Sequence, residues 1–317
     1  MLHHVRPQTE PFPGFHPNSC LETTPEFLDA VLDRLRVQGI EFVSLQDAVE
    51  RIRSGDRSNR FAAFTIDDGY LDNYEYAWPL FRKYACPFTV FVATKIVDGD
   101  AELWWLALEQ VVAGNDRLSV CLDGRQCDFE TRTAAEKQTA YDTIYWTLRR
   151  IPEAEQRRKI KNLCSRYGVD LKQLCRREAM TWDQLRELSD DPLVTVGAHT
   201  VNHVALGKLP QEQALWEITA SRKTLEKALG RPVDFFCYPY GDAVSAGARE
   251  FRLAQGAGMT AAVTTRKGLI YPEHADHLFA LPRVSLNGDY QSLRFIDLYL
   301  SGAPFALWNR FRRVDAA

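Results

Sequence analysis

The sequence lacks several features that define common classes of protein. Its seven cysteines include no C-x-x-C pair and no regular spacing, which argues against a zinc ribbon or a disulfide framework. No run approaches the roughly 20 apolar residues of a membrane-spanning helix, and the start "MLHHVRPQTEPFPGF" lacks the apolar core of a secretory signal. The formal net charge is only -3, so no global charge favours nucleic acid. We therefore expect reduced cysteines, a cytoplasmic location and no nucleic-acid partner.

Strand-like and helix-like segments alternate from one end of the chain to the other. Short apolar runs such as "FAAFTI", "PFTVFVAT", "LVTVGAH" and "VDFFCY" are typical of buried strands. Amphipathic stretches such as "TPEFLDAVLDRLRV" lie between them and have helical periodicity. This alternation predicts an α/β fold with a parallel sheet, and we expect one domain over residues 1–317.

The alternation of short strands and helices stops in residues 95–180, where longer helical patterns follow one another. We interpret this segment as a helical insertion within the domain. Between Arg149 and Arg177 it has ten basic residues against three acidic ones, which predicts a basic face. The preferred interpretation of this basic face is a solvated helix surface. The more specific alternative is contact with an anionic glycan or a lipid carrier.

The stretch "TIDDG" places Asp67 and Asp68 at the end of a predicted buried strand. Asp and Gly are common turn residues, so a tight turn is one explanation. Adjacent residues that leave a strand point in different directions, so the two carboxylates can also perform separate tasks. One would hold a metal ion and the other would act as a general base.

A pair of histidines follows another predicted strand. His199 and His203 in "GAHTVNH" are four residues apart, which on a helical turn places both imidazoles on one face. Two imidazoles and one carboxylate are a common ligand set for catalytic zinc or non-haem iron. Because the carboxyl ends of parallel strands share one rim, we expect Asp67 and Asp68 to meet both histidines there. An iron oxygenase is the least favoured interpretation, since its usual H-x-D pairing is absent.

Two later stretches add candidate groups to the same rim. In "YPYG", Pro239 and Gly241 predict a sharp loop whose backbone N–H groups could stabilise an oxyanion. Taken alone, that loop is more simply an ordinary β-turn. In "LPRVSL", Arg283 lies within an apolar strand and needs a carboxylate partner, for which the catalytic base is the natural candidate.

Taken in order, "TIDDG", "HTVNH" and "YPYG" resemble the motifs of the polysaccharide deacetylase family, carbohydrate esterase family four. The lead-in "TPEFLDAVLDRLRVQGIEFVSLQDAV" is also similar to that family. The resemblance covers residues 1–95 and 180–286 and fits the middle of the chain poorly. It implies a distorted (β/α) barrel of about seven parallel strands that hydrolyses N-acetyl groups on a sugar, with a divalent metal that is usually zinc.

The resemblance also implies roles for individual residues. By motif, Asp67 resembles the catalytic base, and Asp68, His199 and His203 resemble the metal ligands. Tyr240 resembles the residue that donates its backbone N–H to the oxyanion.

The chain departs from the family pattern at three places. The third motif usually begins with Arg, whereas here Cys237 stands there, and Arg283 is the expected substitute. The late tryptophan motif is not recognisable. The final L-x-H motif, which supplies the general acid, is also absent, so the leaving amine would take its proton either from another histidine or from the metal-bound water by way of Asp67. We consider His4 first and then His274 and His277, although each is more simply a surface or loop histidine.

We predict a metal-dependent hydrolase that removes N-acetyl groups from an amino sugar in an oligosaccharide, a polysaccharide or a lipid-linked precursor. One alternative is an amidohydrolase for small amides, which would need a closed pocket. The other is a catalytically impaired glycan-binding protein, which the missing L-x-H motif favours.

Aromatic residues offer two further expectations. An open glycan groove would use exposed aromatic side chains, for which Trp104, Trp105 and Trp182 are candidates, although core packing is the simpler role of each. The segment "LYLSGAPFALWNRFRR" mixes apolar and basic residues, which fits either contact with a membrane surface or packing against the barrel.

Overall fold

The structure is a computed structural model that describes residues 1–8 and 13–316. The strands in these residues are β1 (His4–Val5), β2 (Glu22–Thr23), β3 (Glu41–Phe42), β4 (Phe61–Ala62), β5 (Phe64–Ile66), β6 (Phe88–Val92), β7 (Arg117–Leu122), β8 (Arg125–Glu130), β9 (Val194–Ala198), β10 (Phe235–Cys237), β11 (Ala261–Lys267) and β12 (Leu281–Arg283).

Helices separate most of the strands. The α-helices in the described residues are α1 (Pro25–Val37), α2 (Leu45–Ser54), α3 (Trp78–Lys83), α4 (Thr94–Val97), α5 (Trp104–Ala113), α6 (Ala134–Arg150), α7 (Glu153–Tyr167), α8 (Leu171–Glu178), α9 (Trp182–Ser189), α10 (Gln211–Leu229), α11 (Ala248–Gly256), α12 (Leu293–Leu300) and α13 (Ala303–Trp308). A π-helical turn, Asn73–Ala77, precedes α3. Within the described ranges, no helix combines the length and the apolar character needed to cross a bilayer.

Six strands form one parallel sheet in the order β12-β11-β10-β9-β6-β5. The longest pairing joins β6 to β9, from Phe88 opposite Val194 to Val92 opposite Ala198. Every residue of β6 is buried, because helices cover one face of the sheet and the curled interior encloses the other. The predicted fold class, a distorted (β/α) barrel of parallel strands, is confirmed.

The start of the chain bridges the two edges of this sheet. The backbone N–H of Leu2 donates to Thr65 O in β5 (2.9 Å). On the other side, the Met1 amino group donates to Val284 O just after β12 (2.9 Å). Residues 1–2 therefore act as a seventh strand-like segment, and they deliver His3 to the rim of the barrel.

Residues 95–180, which we call the middle segment, contain the expected helices and one unexpected element. Strands β7 and β8 form an antiparallel hairpin. Its turn is Asp123 (φ 47°) followed by Gly124 (φ 77°), and the Asp-Gly dipeptide between two strands is a sequence signal for such a turn. The helices enclose apolar side chains that are fully buried, among them Val111, Ile144 and Ile160. The same apolar cluster also includes Phe15, Tyr70 and Ala93, so the core of the middle segment is continuous with the rest of the domain.

The C-terminal segment packs through one face only. Phe305 of α13 is buried, whereas Leu307, Trp308 and Phe311 are exposed.

Candidate active site

Polar side chains gather where the parallel strands end. Asp67 and Asp68 follow β5, His199 follows β9, and Arg283 is the last residue of β12. Because the strands are parallel, their carboxyl ends lie on one rim of the barrel. The fold thereby joins groups that are as many as 216 residues apart in the chain.

Asp68, His199 and His203 converge on one point. Asp68 Oδ1 lies 3.2 Å from His199 Nε2 and 3.1 Å from His203 Nε2. The exposed fractions of the three residues are 2%, 2% and 9%. The structure therefore brings together the three residues that the sequence nominated as metal ligands.

The two histidines lie on a loop, and not on the helical turn that their spacing suggests. Thr200 (φ 65°) and His203 (φ 52°) adopt left-handed backbone conformations, which are costly for residues other than glycine. The buried carboxylate of Glu217 on α10 accepts hydrogen bonds from the N–H groups of Val201 (2.9 Å) and Asn202 (3.0 Å). These bonds hold the loop in the conformation that turns both imidazoles towards Asp68.

The chemistry of these three side chains fits a divalent metal such as zinc. Asp68 Oδ1 is buried and accepts no hydrogen bond from the described residues. His199 Nδ1 lies 2.7 Å from Cys237 O, so Nδ1 carries the ring proton and the lone pair of Nε2 is free for a ligand bond. Burial alone would raise the pKa of Asp68, but positive charge on His203 and His199, when these rings are protonated, brings it well below its usual value. One ionised carboxylate and two imidazole nitrogens are a common zinc-binding set.

Asp67 has a different partner, the guanidinium of Arg283. Arg283 Nη1 donates to Asp67 Oδ1 and Nη2 donates to Oδ2, both at 2.7 Å. Arg283 is itself held by Thr65 Oγ1 (3.0 Å) and Thr264 O (2.8 Å). Burial acts to raise the pKa of Asp67, but the positive charge of Arg283 outweighs it and lowers the pKa to about 2. Asp67 is therefore ionised at neutral pH.

Cys237 stands beside this ion pair. Its Sγ lies 3.4 Å from Asp67 Oδ2 and 3.1 Å from Arg283 Nη2. Burial raises the pKa of the Cys237 thiol. Asp67, His199 and Cys237 also lie close enough together to hold a metal. Arg283 already binds both oxygens of Asp67 and the thiol keeps its proton, so the set that contains Asp68 is the better metal site.

The "YPYG" loop places Tyr240 against the histidines. The Tyr240 ring centre lies 5.0 Å from that of His203, and the backbone of Tyr240 is left-handed (φ 63°). Gly241 follows at φ 59°, and a Cβ there would lie 2.5 Å from Thr265 N. The Tyr240 N–H donates to no group among the described residues, which leaves it free to act on a bound oxyanion.

Two neighbouring histidines at the start of the chain have different surroundings. His4, the first-choice proton donor from the sequence, has Nδ1 bonded to Asp72 Oδ2 (2.6 Å) and stacks on Tyr70 at 3.7 Å. It is 1% exposed, and the structure does not bring it to the cluster. His3 Nε2, in contrast, lies 3.9 Å from Asp67 Oδ2.

The other two proton-donor candidates are also elsewhere. His274 and His277 lie on the turn Pro272–His277 before β12. His274 is buried there and its ring stacks on Tyr271. Neither histidine contacts the metal-ligand candidates within the part of the chain that the structure describes.

Comparison with known proteins identifies the family. The sequence pattern of the family described as Polysaccharide deacetylase matches residues 54–262, which is more than half of the chain. The chain belongs to the polysaccharide deacetylase family. No curated protein matches it significantly.

Several solved structures share the fold of this polysaccharide deacetylase family member. The deacetylase PplD of Streptococcus pyogenes, in complex with acetate, has a TM-score of 0.60 and 17% identity, covering 90% of each chain. IcaB from Ammonifex degensii has a TM-score of 0.56 and 19% identity, covering 91% of each chain. A de-N-acetylase from Aggregatibacter actinomycetemcomitans has a TM-score of 0.59 and 14% identity, covering 93% of this chain and 97% of its own.

The sequence did not indicate His3 as a residue of the candidate site. "LHHV" forms a strand-like start in which successive side chains alternate between faces. Of His3 and His4, only one can therefore face the rim, and the pairing of the first residues with β5 and β12 decides which. That alternation was the available signal, but the register that selects His3 depends on the folded sheet.

Two of the three tryptophans considered for an open glycan groove are buried. Trp104 and Trp105 are each only 5% exposed. Trp182 Nε1 donates to Asp98 Oδ1 (2.9 Å). Trp105 instead lies against His203, with ring centres 4.9 Å apart.

Proposed function

We propose that this chain is a metal-dependent hydrolase that removes the N-acetyl group from an amino sugar. One observation carries the proposal: Asp68, His199 and His203 converge on a single point beside the ion pair of Asp67 and Arg283. A ligand set and an ionised base at one rim are the two components that amide hydrolysis by water needs. Zinc is the expected metal, and the polysaccharide deacetylase family supports a carbohydrate substrate.

Asp67 is the proposed general base. It is buried and ionised, because Arg283 holds its pKa down to about 2. The bidentate contact also fixes the plane of the carboxylate. Asp67 can therefore take a proton from the water molecule that attacks the acetyl carbon.

The backbone N–H of Tyr240 and the ring of His3 serve the other two proposed tasks. The free N–H of Tyr240 donates to the carbonyl oxygen as negative charge develops on it. His3, with Nε2 3.9 Å from Asp67 Oδ2, is placed to deliver a proton to the nitrogen of the leaving amine. The C–N bond then breaks, and acetate and the free amine result.

Asp68, His199 and His203 would hold the metal. When bound, a divalent metal would supply Lewis acidity that polarises the acetyl carbonyl. His199 is oriented for this task by the bond from its Nδ1 to Cys237 O (2.7 Å), since such outer contacts fix the ring that binds a metal.

Acetate release tests the proposed function. The purified chain, supplied with zinc or cobalt, is incubated with chitooligosaccharides and related N-acetyl sugars, and acetate is measured over time. We expect metal-dependent release that the Asp67→Asn variant lowers by about a hundredfold to ten-thousandfold. A protein that binds metal but releases no acetate from a broad panel would contradict the proposal and favour a glycan-binding role.

Hydrolysis of small amides remains the second candidate function. The enclosed centre favours it, because Asp67, Asp68 and His199 are each only 2% exposed. Adding simple N-acetyl amines to the same panel separates the two functions. Faster turnover of the simple amides than of every sugar would favour the second.

A further inference from the structure

The middle segment forms hydrogen bonds with the loops that carry the candidate site. Arg157 of α7 donates to the backbone oxygen of Asn202, next to His203, at 2.6 Å. Arg149 of α6 donates to Asp242 Oδ2, in the loop that follows Tyr240, at 3.2 Å. Each of these contacts ties a helix of the middle segment to a different loop of the rim.

A third loop is held in the same way. The backbone N–H of Met180 donates to Gly69 O, directly after Asp68, at 3.2 Å. Trp105 of α5 covers His203, with ring centres 4.9 Å apart. The middle segment thus stands over the ends of β5, β9 and β10 and inserts a tryptophan beside a metal-ligand candidate.

The topology leaves one side of the rim uncovered by the middle segment. The middle segment leaves the barrel after β6, and the strands β10-β9-β6-β5 are consecutive in the sheet. At the end of β11, Arg266 and Lys267 are covered by Asp315 and Asn309 near the C-terminus. Within the described residues, access is therefore left beside β12 and His3. The exposures agree: the His3 side chain is 19% exposed, whereas Asp67 and Asp68 are 2% exposed and His203 is 9% exposed.

We propose that this site accepts a single N-acetylated amino sugar or the terminal residue of a glycan, and not an internal residue of a chain. An internal residue has a neighbour on both sides, so it needs a groove that is open at two ends. Here the middle segment closes one of those sides. The inference rests on the proposed function, since it concerns which acetyl group the same site removes.

The test is the position of the acetyl group that is lost. Pentameric N-acetylglucosamine, labelled at its reducing end, is incubated with the zinc-loaded full chain, and tandem mass spectrometry locates each free amine. We expect a terminal residue to react faster than any internal residue by about tenfold or more, as steric discrimination between competing substrates allows. Monomeric N-acetylglucosamine should also release acetate.

Two variants test whether the middle segment closes one side of the site. Trp105→Ala should increase the ratio of internal to terminal reaction, because it removes the ring beside His203. Trp146→Ala is the matched control, since Trp146 lies on the middle segment but is 56% exposed; it should keep the wild-type ratio. If Trp105→Ala does not fold, the wild-type product pattern decides alone.

The outcomes separate the two proposals. Internal residues that react as fast as terminal ones would overturn the restriction to chain ends and leave the deacetylase function standing. No acetate from any sugar, with metal bound, would overturn both. Loss of terminal acetyl groups only, strongly slowed by Asp67→Asn, supports both.

Discussion

Asp67 and Asp68 are adjacent in the chain, yet each has its own set of neighbours. Asp67 contacts Arg283, whereas Asp68 contacts the two histidines. Asp68 has a positive φ of 81°, which costs about 1 to 3 kcal/mol in a residue with a side chain. This backbone turn is what sends the two carboxylates in different directions. The sequence could predict that they diverge, because neighbours at a strand end do so.

The pairing of Asp67 with Arg283 predicts a shift in pH dependence. Arg283→Met leaves burial unopposed, so the pKa of Asp67 rises from about 2 and less of the base is ionised at a given acidic pH. We expect the acid limb of kcat/KM to move to higher pH. The stability of the wild type depends on pH through the same group. Ionised Asp67 stabilises the folded state above the usual pKa range of an unfolded Asp, and this contribution is lost only as the pH falls from that range towards about 2.

The controls for this prediction address folding. Removing one partner of a buried pair costs about 3 to 5 kcal/mol, so Arg283→Lys, which keeps the charge, is measured beside Arg283→Met and should shift the acid limb less. Arg313→Met breaks an exposed pair with Glu273 and should leave the profile unchanged. An acid limb that is identical in all four proteins would show that Arg283 does not set the pKa of Asp67.

The two adjacent histidines offer a matched pair of variants. His3→Gln should lower kcat by about a hundredfold to ten-thousandfold, the usual contribution of a proton donor. His4→Gln should keep kcat and reduce stability by about 1 to 3 kcal/mol, because it leaves Asp72 without its imidazole partner. Kinetics and urea unfolding of both variants check this. The reverse pattern would restore His4 as the donor.

At the scale of elements, α5 and the "YPYG" loop depend on each other. Trp104 Nε1 donates to Tyr240 Oη at 2.8 Å, and the Arg149 guanidinium lies 3.8 Å from the Tyr240 ring centre. These contacts hold a residue whose backbone is left-handed. Sequence patterns predicted the helix and the loop separately. They could not predict this contact, because the bonded residues are 136 positions apart.

A double-mutant cycle tests that dependence. Trp104→Phe and Tyr240→Phe remove the same hydrogen bond, so each should cost about 1 kcal/mol of stability or more. Their combined effect should be smaller than the sum of the single effects. Urea unfolding measures the coupling, and kcat should fall with it if the bond positions the Tyr240 N–H. Additive losses would mean that the two residues act independently; Trp146→Phe, on the exposed face, is the control.

At the scale of the whole molecule, the parallel sheet determines where the chemistry lies. The alternation of strands and helices was enough to predict a barrel whose strand ends share a rim, and with it the meeting of Asp68 with His199. Three features depend on packing between distant parts of the chain and were not predictable: the bridging role of residues 1–2, the position of His3 on the rim, and the cover that the middle segment forms. The β7–β8 hairpin, in contrast, carried its own signal at Asp123 and Gly124.

The central claim is that Asp68 holds a metal while Asp67 handles a proton. The most direct measurement is the metal content and the acetate turnover of Asp68→Ala and Asp67→Asn, each prepared with zinc and compared with wild type. Asp68→Ala should lose both the metal and the turnover. Asp67→Asn should keep the metal and lose turnover by about a hundredfold to ten-thousandfold. Full metal content and full turnover in both variants would contradict the claim and leave the two carboxylates as parts of a turn.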